Sequence, residues 1–128
     1  MNLPGELKYT KSHEWVRFLD GGRAEIGLTD FAQKELGDIV FVNLPQEGDP
    51  LAAGETFADV ESVKAVSDIF SPIGGTVEEV NEELADEPEK VNRDPYGAWL
   101  IRASDVEGAE ALLSADEYGA FLAGKEGA

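Results

Sequence analysis

The stretch of sequence that decides the fold is VESVKAVSDIF, residues 60–70. Residues 56–60 are rich in β-branched and aromatic side chains, and residues 66–70 alternate apolar with polar side chains, so both segments are predicted to be strands. The five residues between them include neither glycine nor proline, which the commonest two-residue hairpin turns require. A type I turn with Val63 and Lys64 at its centre suits these residues. Lys64 is therefore predicted to lie at the outermost point of a β-hairpin.

Lys64 also lies at the centre of two similar patterns. Before it come an apolar segment at residues 38–44, a turn with proline and glycine, and a strand. After it come a strand, a second turn with proline and glycine at residues 71–75, and a strand at residues 76–81. A lone lysine on a surface is ordinarily only a solubilising residue. Its place at the junction of two similar halves, in a chain with only ten Lys and Arg, favours a specific role.

The composition limits the classes of function. The chain has 128 residues, which is the size of one domain, and 42% of them are hydrophobic, which is typical of a globular protein. Its 27 Asp and Glu give a net charge of −17, which argues against binding to nucleic acids or to anionic membranes. The charge favours basic protein partners that are attracted over a distance, although an acidic surface kept only for solubility is an open alternative.

The absence of cysteine excludes other chemistry. Without cysteine the chain has no disulfide, no zinc–thiolate site, no iron–sulfur site and no cysteine nucleophile. Any sulfur redox chemistry must then come from an attached group. No apolar segment approaches the ~20 residues of a membrane span, and the start of the chain lacks the pattern of a signal or transit peptide. We therefore expect a cytoplasmic protein.

The other elements are predicted from periodicity and from turn and cap residues. A short helix at residues 31–36 is expected to be capped by Asp30 or by Thr29 and to end at Gly37. Residues 38–44 read as a buried strand, and residues 82–93 as an exposed acidic loop. Two capping boxes, Ser104 to Glu107 and Ser114 to Glu117, predict C-terminal helices over about 105–123. Short strands over about 7–103, separated by turn residues, indicate a small barrel or sandwich. The remaining strands are predicted at residues 7–9, 14–19, 23–28 and 98–103.

Several motifs resemble those of the glycine cleavage system H proteins. The lysine segment, ESVKA at 61–65 with SDI at 67–69 and SPIGGTV at 71–77, resembles the lipoyl-lysine segment of that family. YTKSHEWV at 9–16 is similar to its opening signature, and YGAWLI at 96–101 to its closing strand. Two further segments, between the opening signature and the lysine segment, also resemble the family. They are IGLTDFAQ at 26–33 and LGDIVFVNLP at 36–45. The resemblance covers nearly the whole chain in order.

This resemblance implies a carrier and not an enzyme. The expected fold is mainly β: a flattened barrel-sandwich hybrid of the biotinyl/lipoyl-carrier type with two quasi-symmetric halves, a short internal helix and C-terminal helices. A single lipoyl-carrier domain would span residues 1–128. The implied cofactor is (R)-lipoate, bound covalently to Lys64. The implied partners are glycine decarboxylase (a pyridoxal-phosphate enzyme), an aminomethyltransferase, dihydrolipoyl dehydrogenase and a lipoyl- or octanoyl-attaching enzyme, with the chain itself a monomer.

The resemblance also suggests site residues around Lys64. Glu14, Ser12 and Asp68 match positions that line a cleft for the attached arm, where carboxylates would stabilise a cationic amine. Recognition by the attaching enzyme would involve the residues on either side of the lysine: Glu61, Ser62, Val63 and Ala65. No catalytic residue and no metal ligand is expected.

Four other residues are interpreted more conservatively. His13 is the only histidine, has no nucleophile motif beside it and is interpreted as structural. Trp15 and Trp99 are predicted to belong to the core. Glu35 stands where some members of the family have a different polar residue, which leaves the details of the cleft open.

Two other kinds of protein fit parts of the sequence. One is a different swinging-arm module, but a biotinyl site usually has methionine on both sides of its lysine, and a dehydrogenase lipoyl domain is usually tethered by Ala- and Pro-rich linkers. The other is an acidic interaction protein in which Lys64 is unmodified. The mass of the native protein separates this last alternative from the carriers.

Overall fold

Nine strands and four helices make up the fold in the computed structural model, which describes residues 2–109 and 111–126, the last two of these without their side chains. The strands are β1 (Lys8–Tyr9), β2 (Glu14–Leu19), β3 (Arg23–Leu28), β4 (Ile39–Asn43), β5 (Pro50–Leu51), β6 (Thr56–Ser62), β7 (Val66–Phe70), β8 (Gly74–Val80) and β9 (Ile101–Glu107). The helices are α1 (Asp30–Leu36), α2 (Glu83–Asp86), α3 (Lys90–Arg93) and α4 (Ala115–Glu126).

The strands form two antiparallel sheets over a common core. One sheet has six strands in the order β1-β2-β3-β9-β8-β5, and the other has three in the order β4-β6-β7. Buried residues of both sheets form one cluster, with Val16 and Ile26 from the first sheet and Val60 and Ile69 from the second. Two sheets that share a core in this way have the barrel-sandwich arrangement, so the predicted mainly β fold class is confirmed.

The predicted lysine hairpin is present. β6 and β7 pair from Thr56↔Phe70 to Glu61↔Val66, so only a short loop at its tip holds Lys64. β7 is the edge strand of its sheet, because β6 occupies only one of its two sides. The free side of β7 is therefore available to border a cleft.

Of the two residues predicted to cap helix α1, Asp30 and Thr29, the structure uses Thr29. Thr29 is the N-cap, and its hydroxyl accepts a hydrogen bond from the backbone N–H of Ala32. Asp30 instead accepts a hydrogen bond from the side chain of Gln33 at 2.8 Å, so the Asp30 capping box is wrong and the Thr29 alternative is confirmed. The helix ends at Gly37, whose φ of 78° is of the kind that glycine adopts most easily.

The first predicted C-terminal helix is wrong. Ser104 to Glu107 lie in strand β9, where Ser104 is paired with Thr76 of β8. Here the box lies inside a strand, in which Ile101 and Ala103 just before it are buried at alternate positions. The second box is confirmed: the Ser114 hydroxyl accepts from Glu117 N at 3.1 Å, and Glu117 Oε1 accepts from Ser114 N at 2.8 Å.

Two other segments differ from expectation. Residues 82–93 were expected to be an exposed loop, but they form α2 and α3, which bury Leu84 and Val91 in the core. The segment at residues 38–44 was expected to be a buried strand, but Val40 and Phe41 of β4 are 45% and 59% exposed. A register shift between Ile39 and Phe41 turns part of the apolar run toward solvent.

Helix α4 closes one end of the molecule. Tyr118 is fully buried and stacks on Tyr9 of β1, with 4.8 Å between ring centroids. These two tyrosines belong to a second cluster of buried residues. Trp15 is also fully buried in this second cluster, as predicted, and Trp99 packs against it while partly exposed. The cluster fixes the segment between β1 and β2, from which several residues of the candidate site come.

Candidate functional site

Lys64 is exposed at the tip of the β6–β7 hairpin. The turn is held by Ser62, whose Oγ accepts hydrogen bonds from the backbone N–H groups of Lys64 and Ala65, at 3.1 Å each. Ser62 N donates to the Ala65 carbonyl at 2.8 Å. The lysine Nζ makes a weak contact, 3.4 Å to the backbone carbonyl of Glu35. The amine is accessible and is not sequestered inside the fold.

The loop between α1 and β4 supports the hairpin tip. Val63 N donates a hydrogen bond to the Asp38 carbonyl at 3.0 Å. The stem of Lys64 lies over Gly37, where an added Cβ would come within 3.3 Å of the lysine Cε. These contacts orient the lysine side chain along the C-terminal end of α1.

A cleft of about 140 Å³ lies at the free side of β7. The three candidates Ser12, Glu14 and Asp68 all line it, together with Glu35, whose carbonyl contacts the Lys64 amine. The apolar part of its lining comes from Leu28, Ala32, Leu36, Val60 and Ile69. A group attached to Lys64 would therefore have an apolar cleft next to it, with carboxylates among the lining residues.

Glu14 is buried, with 1% of its surface exposed. Its Oε1 accepts hydrogen bonds from the hydroxyls of Thr10 and Ser12, at 2.6 Å each. Its Oε2 accepts only weakly, from Phe70 N at 3.4 Å. Burial raises the pKa of Glu14, and the hydrogen bonds from Ser12, Thr10 and Phe70 oppose that rise. The carboxylate is thus fixed in position with one oxygen that has spare acceptor capacity.

Asp68 differs from the other two candidates. It is exposed on β7 and pairs in register with Asp59 of β6. It lines the cleft but does not join the hydrogen-bonded group of Thr10, Ser12 and Glu14. The roles of all three candidates remain predictions.

Thr10 was missed by the sequence analysis. Its backbone N–H donates to the Glu14 carbonyl at 3.0 Å, and its hydroxyl accepts from Glu14 N while donating to Glu14 Oε1. The signal available was a second hydroxyl two residues before Ser12. It could not be distinguished from an ordinary strand-end residue until the turn at residues 10–14 was known.

His13 has the surroundings of a structural residue. Its Nδ1 lies 2.8 Å from the Tyr118 hydroxyl, and its ring lies 4.5 Å from the ring of Phe31. The residue has a φ of 74°, which places Ser12 and Glu14 on either side of a tight turn.

The described residues contain neither a metal-binding cluster nor a helix suited to spanning a membrane. No group of three or more His, Asp or Glu side chains there could hold a metal ion. None of the helices in that part of the chain has the length and apolar character needed to cross a membrane.

Comparison with known proteins gives a consistent result. The family model described as Glycine cleavage H-protein matches residues 7–125. A relative from Lachnoclostridium phytofermentans, named glycine cleavage system H protein, is 57% identical over 122 residues, which are 95% of this chain and 96% of the relative. One of the same name from Halalkalibacterium halodurans is 58% identical over 120 residues, 91% of this chain and 93% of the relative.

A solved structure agrees with the sequence relatives. The crystal structure of a glycine cleavage system H protein from Mycobacterium marinum superposes with a TM-score of 0.85 at 40% identity. The match covers 98% of this chain and 99% of the other. The chain therefore belongs to the glycine cleavage H-protein family, the lipoyl carriers of the glycine cleavage system, and is a carrier and not an enzyme.

Proposed function

We propose that Lys64 is the lipoyl attachment site, and that the lipoylated chain carries the aminomethyl unit of glycine between the enzymes of the system. The observation that carries the proposal is the exposed Lys64 amine at the tip of a hairpin, beside a cleft lined by apolar residues and carboxylates. An attaching enzyme needs an accessible amine on a fixed backbone. The Ser62 hydrogen bonds and the contact of Val63 with Asp38 supply that fixed backbone.

The residues present fit a lipoyl group. Amide formation on Nζ removes a charge that makes only a 3.4 Å contact, so little is lost when the lysine is acylated. The apolar residues of the cleft, such as Leu36 and Ile69, suit a hydrocarbon chain. When bound, the group would supply a disulfide that is reduced as it accepts the one-carbon amine, and the dithiol left after transfer would be reoxidised by the dehydrogenase. A chain without cysteine cannot provide this chemistry itself.

Glu14 and Ser12 are proposed to hold the cationic end of the cargo. Both hydroxyl donors bind Oε1 of Glu14, so Oε2 is the oxygen best able to accept a hydrogen bond from an ammonium group. A cation in the cleft would also compensate the burial of the Glu14 charge. Asp68 would add a second carboxylate from β7, closer to solvent. These side chains would bind and orient the cargo and limit the access of water to it.

The proposed partners follow from the system to which the family belongs. The chain would receive the aminomethyl unit at glycine decarboxylase, deliver it at the aminomethyltransferase and be reoxidised by dihydrolipoyl dehydrogenase, acting as a cytoplasmic monomer. A net charge of −17 would speed these successive encounters without requiring tight complexes. Glu61, Ser62, Val63 and Ala65 would form the surface that the attaching enzyme reads.

Mass spectrometry of the native protein tests the attachment site. The peptide that contains Lys64 should have the mass of a lipoyl amide, while the peptide that contains Lys34, another exposed lysine, should be unmodified. Lys64→Arg should fold normally and abolish glycine cleavage in a reconstituted system, and Lys34→Arg should retain it. Unmodified Lys64 in cells that are degrading glycine would refute the proposal, and a biotin adduct would support the alternative carrier.

A further inference from the structure

Asn92 of α3 makes three hydrogen bonds to α1 and to the segment that follows it. Its Oδ1 accepts from Ile39 N at 2.8 Å, and its Nδ2 donates to the Gly37 carbonyl at 2.9 Å and to Gln33 Oε1 at 3.1 Å. Two of these partners are backbone groups on either side of Asp38. Asn92 therefore holds residues 37–39, the support segment, from both ends.

The support segment in turn holds the tip of the lysine hairpin. Val63 N donates to the Asp38 carbonyl at 3.0 Å, and a Cβ added at Gly37 would lie 3.3 Å from the Cε of Lys64. The hydrogen bonds that Ser62 makes are internal to the hairpin, so they shape the turn without fixing where it lies on the protein. The bond to Asp38 ties the backbone of the tip to the support segment, and through it to Asn92.

The chemistry of Asn92 matches its surroundings. An amide oxygen faces an N–H group, and an amide nitrogen with two hydrogens faces two oxygens, so both donors are used. A carboxylate in its place would face two oxygen acceptors. The backbone of α3 is anchored beside this side chain, because the adjacent Val91 is buried in the core. Asn92 thus transmits a position set by the core to the support segment.

We propose that Asn92 is a positioning residue for Lys64, which acts through the support segment to fix where the hairpin tip presents its amine to the attaching enzyme. The inference rests on the proposed function, because the position of the amine matters to that enzyme only if Lys64 is acylated. An enzyme that binds the tip in one position binds more weakly when the tip occupies that position for only part of the time. The segment at residues 82–93 would thereby serve the attachment site from a distance.

Amide hydrogen exchange of the unmodified full chain tests the positioning. Asn92→Ala should speed exchange of the Val63 N–H, whose acceptor belongs to the support segment, by about fivefold, the effect of losing one hydrogen bond. Exchange of the Ser62 N–H, which donates within the hairpin, should stay as in the wild type. Asn81→Ala is the matched control, because Asn81 is also half-buried and donates to a backbone carbonyl, that of Trp99 at 2.8 Å, outside the support segment. It should leave both amides unchanged.

Attachment kinetics test the consequence for the carrier. With lipoate and the purified attaching enzyme, Asn92→Ala should raise the KM for the unmodified chain by about fivefold with kcat unchanged, because fewer tips are correctly placed while the chemistry at the amine is the same. Asn81→Ala should have the KM of the wild type. Asn92→Asp has nearly the same shape and keeps an acceptor for Ile39 N but loses both donors. It should also raise KM and speed exchange at Val63, which keeps the test decisive if the alanine variant folds poorly.

The outcomes separate this inference from the proposed function. Intact mass is measured first: unmodified Lys64 in the native protein would overturn the proposed function and the inference with it. Lipoylated native protein, with the same KM for the Asn92 variants and for Asn81→Ala, would overturn the inference alone. Equal acceleration of the Val63 and Ser62 amides would also overturn it, because Asn92 would then stabilise the fold in general and not the position of the tip.

Discussion

Glu14 is a buried carboxylate that is held by hydroxyl groups. The hydroxyls of Thr10 and Ser12 stabilise its charged form, but burial has the larger effect on its pKa and raises it. An enclosed charge of this kind costs stability unless a cation approaches it. The arrangement suits a residue whose partner arrives with the cargo, which is the role proposed above.

Glu14→Gln should change how stability depends on pH. Because the folded pKa is raised above its ordinary value of 4.5, the folded state binds the proton more tightly than the unfolded state. The contribution of Glu14 is then fully present below pH 4.5 and is lost as the pH rises through the folded pKa. Urea unfolding of both proteins at acidic and neutral pH should show the variant gaining stability relative to the wild type as the pH rises.

Glu117 provides a control of opposite sign. Hydrogen bonds from the backbone and hydroxyl of Ser114 lower its pKa, so its contribution is lost as the pH falls. The difference in free energy of unfolding between Glu117→Gln and the wild type should therefore disappear at low pH. If the stability of Glu14→Gln followed the wild type in parallel at every pH, the raised pKa of Glu14 would be wrong.

Ser62→Ala tests the turn that presents Lys64. The serine Oγ accepts hydrogen bonds from two backbone N–H groups. Without the hydroxyl, both N–H groups would bond to water or be left without a partner. We expect a loss of about 1 kcal/mol in the free energy of unfolding, together with slower attachment of lipoate. Ser67→Ala, which removes only a contact of 3.5 Å, should have a smaller effect on stability. Equal losses for the two variants would show that Ser62 does not stabilise the turn.

At the scale of elements, β2, β3, β7 and α1 were predictable because their patterns are local. The residue types in 14–19 and 66–70 mark strands locally, but they do not reveal which face is buried, since Val66 and Phe70 are exposed and Glu14 is buried. The capping box at Ser104 to Glu107 wrongly predicted a helix, because pairing of Ser104 with the distant Thr76 in the sheet overrides the local cap signal. The exposure of Phe41 was not predictable for a similar reason, since it depends on a register shift against β6.

The candidate site was predictable only where a motif carried it. Lys64 was singled out by the hairpin pattern, whereas Ser12, Glu14 and Asp68 came from the resemblance, and the structure brings these three into the lining of one cleft. The burial of Glu14 could not be read from the sequence, because it depends on β7 passing next to the turn at residues 10–14. Contacts between segments more than 50 residues apart, such as Phe70 N with Glu14 Oε2, leave no local pattern.

Gly27→Ala tests the packing of β2 against β3. Trp15 pairs with Gly27, and a Cβ at Gly27 would lie 2.5 Å from the indole ring. The ring cannot move away easily because it is fully buried and its Nε1 donates to the Pro95 carbonyl at 3.0 Å. We expect a loss of about 1–3 kcal/mol from overpacking, measured by urea unfolding. Gly5→Ala, where the space is open, should be close to neutral, and a similar result for Gly27→Ala would contradict the packing.

Tyr118→Phe tests the attachment of α4. The Tyr118 hydroxyl lies 2.8 Å from His13 Nδ1 and 2.8 Å from Thr29 Oγ1, so it joins α4 both to the turn before β2 and to the cap of α1. Its removal should cost about 1–2 kcal/mol, since both of its partners are left with one hydrogen bond fewer in the interior. Hydrogen exchange should accelerate in α4.

Tyr9→Phe is the comparison variant for this measurement. It removes a hydrogen bond to the Pro4 carbonyl, which lies outside α4. Its exchange in α4 should therefore remain close to that of the wild type. If Tyr118→Phe also left exchange in α4 unchanged, the hydroxyl would not be what secures the helix.

At the scale of the whole molecule, the acidic charge has two effects of opposite sign. A net charge of −17 destabilises the compact state through self-repulsion, yet it attracts basic partners. Local ion pairs offset part of the repulsion. Arg102 lies 2.9 Å from Glu25 and 2.9 Å from Glu79, and Arg17 lies 2.9 Å from Glu25. The net effect on stability depends on whether the long-range repulsion between carboxylates exceeds the attraction within these ion pairs.

Salt should therefore move stability and partner binding in opposite directions. Raising the ionic strength to ~0.15 M shortens the Debye length to about 8 Å, which screens distant carboxylates more than contacts of 2.9 Å. The Tm should rise with added NaCl, while the KM of the lipoylated carrier for glycine decarboxylase rises as well, because electrostatic attraction weakens. Calorimetry and steady-state kinetics over the same salt series measure both. A falling Tm would mean that the ion pairs of Arg102 outweigh the repulsion, and a constant KM would mean that the acidic surface does not steer the encounter.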